Sequence, residues 1–313
     1  METLLSVHEE VAAKLAAGGP VVGLESSVFA QGLPAPQNIE TAGAMLAAIR
    51  EEGAVPAAIG VLDGSMVVGL SSAQIAVLAT RTDVAKVSRG DLSPVLFSGK
   101  PGATTVAATI FIAALAGIRV VATGGIGGVH RNLEKNLDIS GDLTELARTP
   151  VAIICSGVKS MLDLPRTLEV LETLGVPVVG YGTDEFPAFF SRDSGLPLPY
   201  RVDSAFEAAR LMGIQWELGE AGQGMSAGIV IANPAALEVA IPRADVETWI
   251  AEALDSAERQ GVRGKDMTPH LLQELARRSG GGTMRANIAL LIDNARLAAR
   301  IAVSHSVRKK HWP

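Results

Sequence analysis

Short, almost wholly apolar runs recur along this chain, and each is followed by a polar or glycine-rich break and then by a segment with helical spacing. Residues 21–24, 55–62, 118–122, 152–154, 176–181 and 228–232 are the clearest of them. Strands that are apolar on both faces must be covered on both faces, so this alternation predicts a largely parallel sheet between helical layers. Helices are expected over residues 5–17, 39–52, 72–80, 143–147, 166–174, 205–218, 243–260, 268–278 and 284–303. Residues 102–105 read as a cap for an apolar helix running to residue 115. With 48 % hydrophobic residues in 313, a large core is easily filled. No internal repeat or linker stands out, so the expectation is a single α/β domain with a frayed tail from about residue 304 to 313.

Several function classes lose support from the same residues. The net charge is −6 and the basic residues form no stripe outside the last few positions, so nucleic-acid binding has no electrostatic basis. Residues 104–118 form a fifteen-residue stretch without charge, short of the ~20 needed to cross a bilayer. Glu2, His8, Glu9 and Glu10 interrupt any N-terminal apolar run, which argues against a signal peptide. Cys155 is the single cysteine, which excludes an internal disulfide and fits a reducing cytoplasm.

In a doubly covered parallel sheet, ligands sit beyond the carboxyl ends of the strands. The chain places several chemically useful groups there. Glu25 closes one apolar run, as a candidate general acid or base whose alternative is a capping or salt-bridged glutamate. Residues 123–130, Thr-Gly-Gly-Ile-Gly-Gly-Val-His, follow another; the glycines could cradle a phosphate or simply pack a strand against a helix. Lys159 follows a third run, as a nucleophile if burial lowers its pKa and as a snorkelling side chain otherwise. Asp138 and Asp142 are oxygen donors for a hard divalent ion, although Asp142 would serve equally as an N-cap. Lys86 and Arg89 could steer a phosphate, and His130 has no partner spacing that marks a zinc site.

These residues fall within a longer series of ordered motifs. They are Leu-Glu-Ser-Ser with Pro-Gln-Asn (24–27, 36–38), Lys-Val-Ser-Arg-Gly-Asp-Leu (86–92) and Gly-Ala-Thr-Thr-Val-Ala-Ala-Thr (102–109). Thr-Gly-Gly-Ile-Gly-Gly-Val-His-Arg (123–131), Asp-Ile-Ser-Gly-Asp-Leu (138–143) and Gly-Val-Lys-Ser (157–160) follow. Gly-Tyr-Gly-Thr-Asp-Glu-Phe-Pro-Ala-Phe-Phe (180–190) and Ala-Asn-Ile-Ala-Leu (286–290) complete them. Over about residues 15–303 the chain resembles the pseudouridine-5'-phosphate glycosidases, the family that includes indigoidine synthase A-like proteins.

The resemblance implies an α-β-α sandwich, a homotrimer and a Mn²⁺-dependent site that reversibly cleaves the C–C glycosidic bond of pseudouridine 5'-phosphate to uracil and ribose 5-phosphate. It casts Lys159 as the Schiff-base nucleophile, Glu25 as the proton donor or acceptor and Asp138 as the metal ligand. Ser140, Gly141 and Asp142 would line the substrate site, Lys86 and Val106 would contact the sugar phosphate, and Asn287 would face the base. Thr105 and His130 join the expected substrate contacts.

Two stretches depart from the family pattern. Members usually carry His-Gly-Met-Pro where this chain has Gln31-Gly32-Leu33-Pro34, and Gly-Ala-Glu-His-Thr-Phe where it has residues 132–137. Gln31, Leu133 and Lys135 are therefore the expected aglycone border. The altered border favours C-ribosylation of an aromatic polyketide, as in alnumycin-type pathways, over uracil as the aglycone. A non-catalytic sugar-phosphate-binding protein is the rival of another class, disfavoured because binding alone needs neither Lys159 nor Glu25.

Overall fold

The computed structural model of the chain describes residues 4–131, 137–221, 227–262 and 267–311. Its first strands are β1 (Leu5–Val7), β2 (Val21–Glu25), β3 (Val55–Leu62), β4 (Ser65–Val68), β5 (Ala85–Val87) and β6 (Gly102–Thr104). Then come β7 (Val120–Ala122), β8 (Val129–His130), β9 (Ala152–Cys155), β10 (Leu162–Asp163), β11 (Val178–Tyr181), β12 (Arg201–Val202) and β13 (Ile229–Ala232). The helices are α1 (Glu9–Ala16), α2 (Gln37–Glu51), α3 (Ser72–Thr80), α4 (Leu92–Ser98), α5 (Val106–Leu115) and α6 (Gly141–Leu146). They continue with α7 (Leu164–Thr173), α8 (Ala205–Ala221), α9 (Arg243–Gln260), α10 (Met267–Arg278) and α11 (Gly282–His311).

The main sheet runs β1-β4-β3-β2-β7-β9-β13-β11-β12, with β6 paired to β3 and β5 to β6. From β3 through β12 every neighbouring pair on that path is parallel, and the β3–β4 hairpin is antiparallel. Gly23 lies opposite Val121, Val121 opposite Ile153, and Ile153 opposite Val230, so the central strands share one register of small and branched apolar residues. Every residue of β2, β7, β9 and β13 is buried. Helix α11 packs on β2, β7 and β9 beside α2 and α8, while α5 packs on β2, β3 and β7 with α6 alongside. This is the α/β architecture the sequence predicts. Among the described residues no helix is long and apolar enough to cross a membrane.

The structure departs from the sequence reading at several places. Residues 5–7 are a strand rather than the start of a helix, because they pair in parallel with β4 and the His8 side chain caps α1 by accepting from the Glu10 amide. Gly102–Thr104 is also a strand, drawn onto β3, which leaves Thr105 alone at the N-cap of α5. The expected frayed tail is helical as far as His311, since no glycine or proline interrupts the ladder between residues 283 and 311. The strands β2, β7 and β9 end side by side; Glu25 is the last residue of β2, and Thr123 and Lys159 follow β7 and β9.

Candidate active site

Glu25 is the last residue of β2 and is only 2 % exposed. Both carboxylate oxygens are engaged: Ser27 Oγ donates to Oε2 at 2.7 Å, and Thr123 Oγ1 donates to Oε1. Burial pushes the Glu25 carboxyl above the usual carboxylate range, while the nearby Lys159 ammonium and the two hydroxyls pull against it. A carboxyl in that condition keeps its proton closer to neutral pH than an exposed glutamate does, which suits a general acid.

Lys159 follows β9 in a segment tied to the glycine turn by a bridge between Ile126 and Val158. Its own amide donates to the Ile126 carbonyl at 3.2 Å. The side chain is half-buried, and its ammonium makes no hydrogen bond or ion pair among the described residues. The segment is braced from outside by Arg131, whose guanidinium donates to the Ser160 and Leu162 carbonyls and to Glu247 on α9.

The glycine turn forms part of the cavity wall, and some of its amides already have partners. Ile126 N–H donates to the Gly157 carbonyl, Gly127 N–H to Asp142 Oδ2 and Val129 N–H to Thr167 Oγ1. Glycine is required here by close approach: a Cβ on Gly125 would sit 2.7 Å from the Phe189 ring, and one on Gly127 would sit 2.8 Å from Asp142 Oδ2. Asp142 is not the N-cap; that place belongs to Ser140, whose hydroxyl accepts from the Asp142 amide. The Asp142 carboxylate instead accepts from Ala107 N–H and Gly127 N–H, both at 2.8 Å, and so ties the start of α5 to the glycine turn.

These groups surround a cavity of about 280 Å³. Of the residues expected from the sequence, Glu25, Lys159, Lys86, Thr105, His130, Ser140, Asp142, Asn287, Gln31 and Asp138 line it. Val106 does not: its side chain is 1 % exposed and packed in the core, so only its backbone at the start of α5 is available to a ligand. Gly141, at the start of α6, is also off the wall. Leu133 and Lys135 lie outside the described residues. The sequence reading missed Ser27, Ser88, Thr123 and Phe189, together with Thr268, Pro269 and Leu272 of α10. The hydroxyls of Ser27 and Thr123, placed at strand ends, were a readable signal; the α10 residues carried none.

His130 Nε2 and Asp138 Oδ2 stand 3.8 Å apart at the cavity wall. Burial pushes the imidazole pKa down and Asp138 pulls it up, with Lys86 and Lys159 adding to the downward side. Among the described residues no group of three or more His, Cys, Asp or Glu is placed to hold an ion. One carboxylate with a neighbouring imidazole fits a hard divalent ion only if water and substrate oxygens complete its shell, as Mg²⁺-like ions commonly arrange. Thr105 Oγ1 is buried at the start of α5 without a partner among the described residues, on the same wall as Lys86 and Ser88. A helix N-terminus with a hydroxyl and an ammonium is a site for a phosphate.

Comparison with known proteins places this geometry among relatives. The family described as Indigoidine synthase A like protein matches residues 10–304. A pseudouridine-5'-phosphate glycosidase of Jannaschia sp. (strain CCS1) is 51 % identical over 298 residues, covering 95 % of this chain and 97 % of its own. One of Caldanaerobacter subterraneus subsp. tengcongensis is 49 % identical over 303 residues, covering 97 % of each. Among solved structures, the prealnumycin C-glycosynthase AlnA, in complex with ribulose 5-phosphate, superposes with a TM-score of 0.89 at 40 % identity over 98 % of both chains. An indigoidine synthase A (IdgA)-like protein from Thermotoga maritima MSB8 superposes with a TM-score of 0.86 at 36 % identity over 97 % of both.

Proposed function

The chain belongs to the indigoidine synthase A-like protein family, and from that premise we propose that it cleaves the C–C glycosidic bond of pseudouridine 5'-phosphate, giving uracil and ribose 5-phosphate. It is an enzyme of the C-glycosidase and C-glycosynthase kind. The relatives reverse the order in which the sequence placed the two aglycones: the chains near 50 % identity are named for the uracil-releasing activity, and the C-glycosynthase is the more distant at 40 %. The observation that carries the reading is the pairing of a buried, doubly hydrogen-bonded Glu25 with Lys159 in one cavity.

In this reading Lys159 Nζ attacks C1' as the ring oxygen leaves, and Glu25 delivers the proton that oxygen needs. The attacking nitrogen loses its extra proton to Glu25, which re-arms the carboxyl. The lone pair this frees forms the Schiff base at C1' as the bond to the pyrimidine carbon breaks, and that carbon keeps the bonding pair and takes the proton from Glu25. Water releases the open-chain sugar phosphate from the lysine. The lysine nitrogen supplies the electron pair that expels the pyrimidine carbon, a push that an unactivated C–C bond lacks. The neighbouring enzyme's ribulose 5-phosphate supports an open-chain sugar phosphate here, because a 2-ketose with its O5 phosphorylated cannot close a furanose ring. Lys86, Thr105 and the Val106 amide at the start of α5 would hold the phosphate, and Asn287 would face the base. Asp138, with His130 beside it, would hold the Mn²⁺, whose charge would screen the phosphate and sugar oxygens. A homotrimer is the assembly expected for the family.

Borohydride trapping with ribose 5-phosphate, followed by peptide mass spectrometry, tests the mechanism. A reduced adduct on Lys159, absent from Lys159→Ala, is expected; an adduct elsewhere or none sinks it. Release of uracil from pseudouridine 5'-phosphate tests the substrate. The synthetic reading, joining ribose 5-phosphate to an aromatic acceptor, is favoured by the AlnA likeness and wins if uracil release is negligible while an aromatic C-riboside phosphate forms.

A further inference from the structure

Helix α11 carries a buried asparagine that the proposed chemistry does not use. Asn294 is 0 % exposed, and both ends of its side-chain amide are engaged. Its Nδ2 donates to the Thr123 carbonyl at 2.8 Å and to Ser156 Oγ at 3.1 Å, with the Gly124 carbonyl at 3.4 Å. Its Oδ1 accepts from Asn233 Nδ2 at 2.9 Å. Thr123 follows β7, Ser156 follows β9 and Asn233 follows β13, so one side chain pins the ends of three neighbouring strands. The amide stands this way round because turning it would set Oδ1 against two carbonyl oxygens.

These strand ends carry the chemistry. Thr123, whose carbonyl Asn294 holds, gives its hydroxyl to Glu25 Oε1. Ser156 N–H donates to the Gly124 carbonyl at 2.8 Å, which joins the ends of β7 and β9 beside the same amide. Gly124 lets α11 come close: a Cβ there would lie 3.1 Å from the Leu290 side chain and 3.2 Å from that of Leu291. A shift of α11 would leave these buried donors and acceptors unpaired, so the amide fixes the helix in one register against the strand ends.

We propose that Asn294 is a positioning residue for catalysis: by holding the Thr123 backbone it aims the Thr123 hydroxyl at Glu25 and sets where that carboxyl stands in the cavity. This rests on the reading of Glu25 as the proton donor and acceptor. Asn294 is not on the cavity wall and acts through Thr123, which is. The Thr123 hydroxyl favours the charged carboxylate against the effect of burial; of the other charged groups that face Glu25, Lys159 acts with the hydroxyl and Asp142 against it.

Titration of Glu25 can be followed in the full-length protein by infrared spectroscopy, as the protonated-carboxyl band that the matching Glu25→Gln protein lacks. Asn294→Ala should move the Glu25 midpoint to higher pH, as Thr123→Val does, and the two together should move it no further than Thr123→Val alone. In pseudouridine 5'-phosphate cleavage, Asn294→Ala should lower kcat about tenfold or more, and by less than about threefold in the Thr123→Val background. Circular dichroism melts identify the folded variants; if Asn294→Ala does not fold, Asn294→Thr, which nearly keeps the volume and loses the amide, carries the test. A Glu25 midpoint that stays in place, a kcat near that of the parent, or losses that multiply across the pair overturns the proposal, and Asn294 then serves the fold alone. A midpoint that moves in a protein unable to release uracil upholds the positioning of Glu25 and removes the pseudouridine reading.

Discussion

On the strand side of the cavity each buried carboxylate has its partners: Glu25 accepts from Ser27 and Thr123, and Asp142 accepts from Ala107 and Gly127. On the side formed by α10 and the segment after β2, Gln31 Oε1 and His270 Nε2 are buried and have none among the described residues. The first side is organised before any ligand arrives, as groups that must act on a developing charge need to be. The second side holds buried polar atoms that no described residue answers, which costs stability. The proposed proton donor and the proposed aglycone contact thus stand on differently organised parts of the cavity wall.

That division can be broken by substitution on each side. The largest effect is expected from Glu25→Gln, which removes the proton donor and should lower kcat by about 10²- to 10⁴-fold with little change in sugar-phosphate binding. The same variant reports on stability. Because burial raises the folded-state pKa of Glu25, its contribution is fully present below the unfolded carboxylate pKa and is lost as pH rises through the folded value. Glu25→Gln lacks that loss, so its melting temperature relative to the parent should climb between pH 5 and pH 8. A difference that is flat with pH would show that Glu25 is not raised.

Next comes Asp142→Asn, which keeps the shape but turns one backbone donor toward an NH₂ group. Hydrogen bonds to a charged acceptor contribute about 1.5–3 kcal/mol, so urea unfolding should show a loss of roughly that size. The start of α5 would also loosen, raising KM for the sugar phosphate. The smallest effect is expected from Gln31→Ala, about tenfold or less on KM for the aglycone with kcat within about threefold. If Gln31→Ala lowered kcat as far as Glu25→Gln does, the two sides would not be separate.

The parts legible in the sequence were those whose physics is local. Apolar runs disclosed the central strands, and their polar ends disclosed Glu25 and Lys159. The cap alternative for Asp142 fails because capping is judged from the next few residues, whereas its partners Ala107 and Gly127 arrive from other segments. That the Gly127 amide is taken by Asp142 depends on a contact the sequence does not reveal. Val106 was placed on the substrate by motif, although at its position in α5 the side chain turns into the core. The contribution of α10 was invisible, since a Thr-Pro-His start carries no chemistry until packing sets it against α11 and the segment after β2.

By itself the sequence determined the strand–helix alternation, the burial of the sheet and the residues standing at its strand ends, because periodicity and hydrophobicity act over a few residues. Only the tertiary structure decided the strand order that sets β2, β7 and β9 side by side, and with it the meeting of Glu25, Thr123 and Lys159. It also decided which polar atoms are satisfied and which are left open at Gln31 and His270. Those outcomes depend on contacts between distant segments, and such contacts form only when the whole core closes.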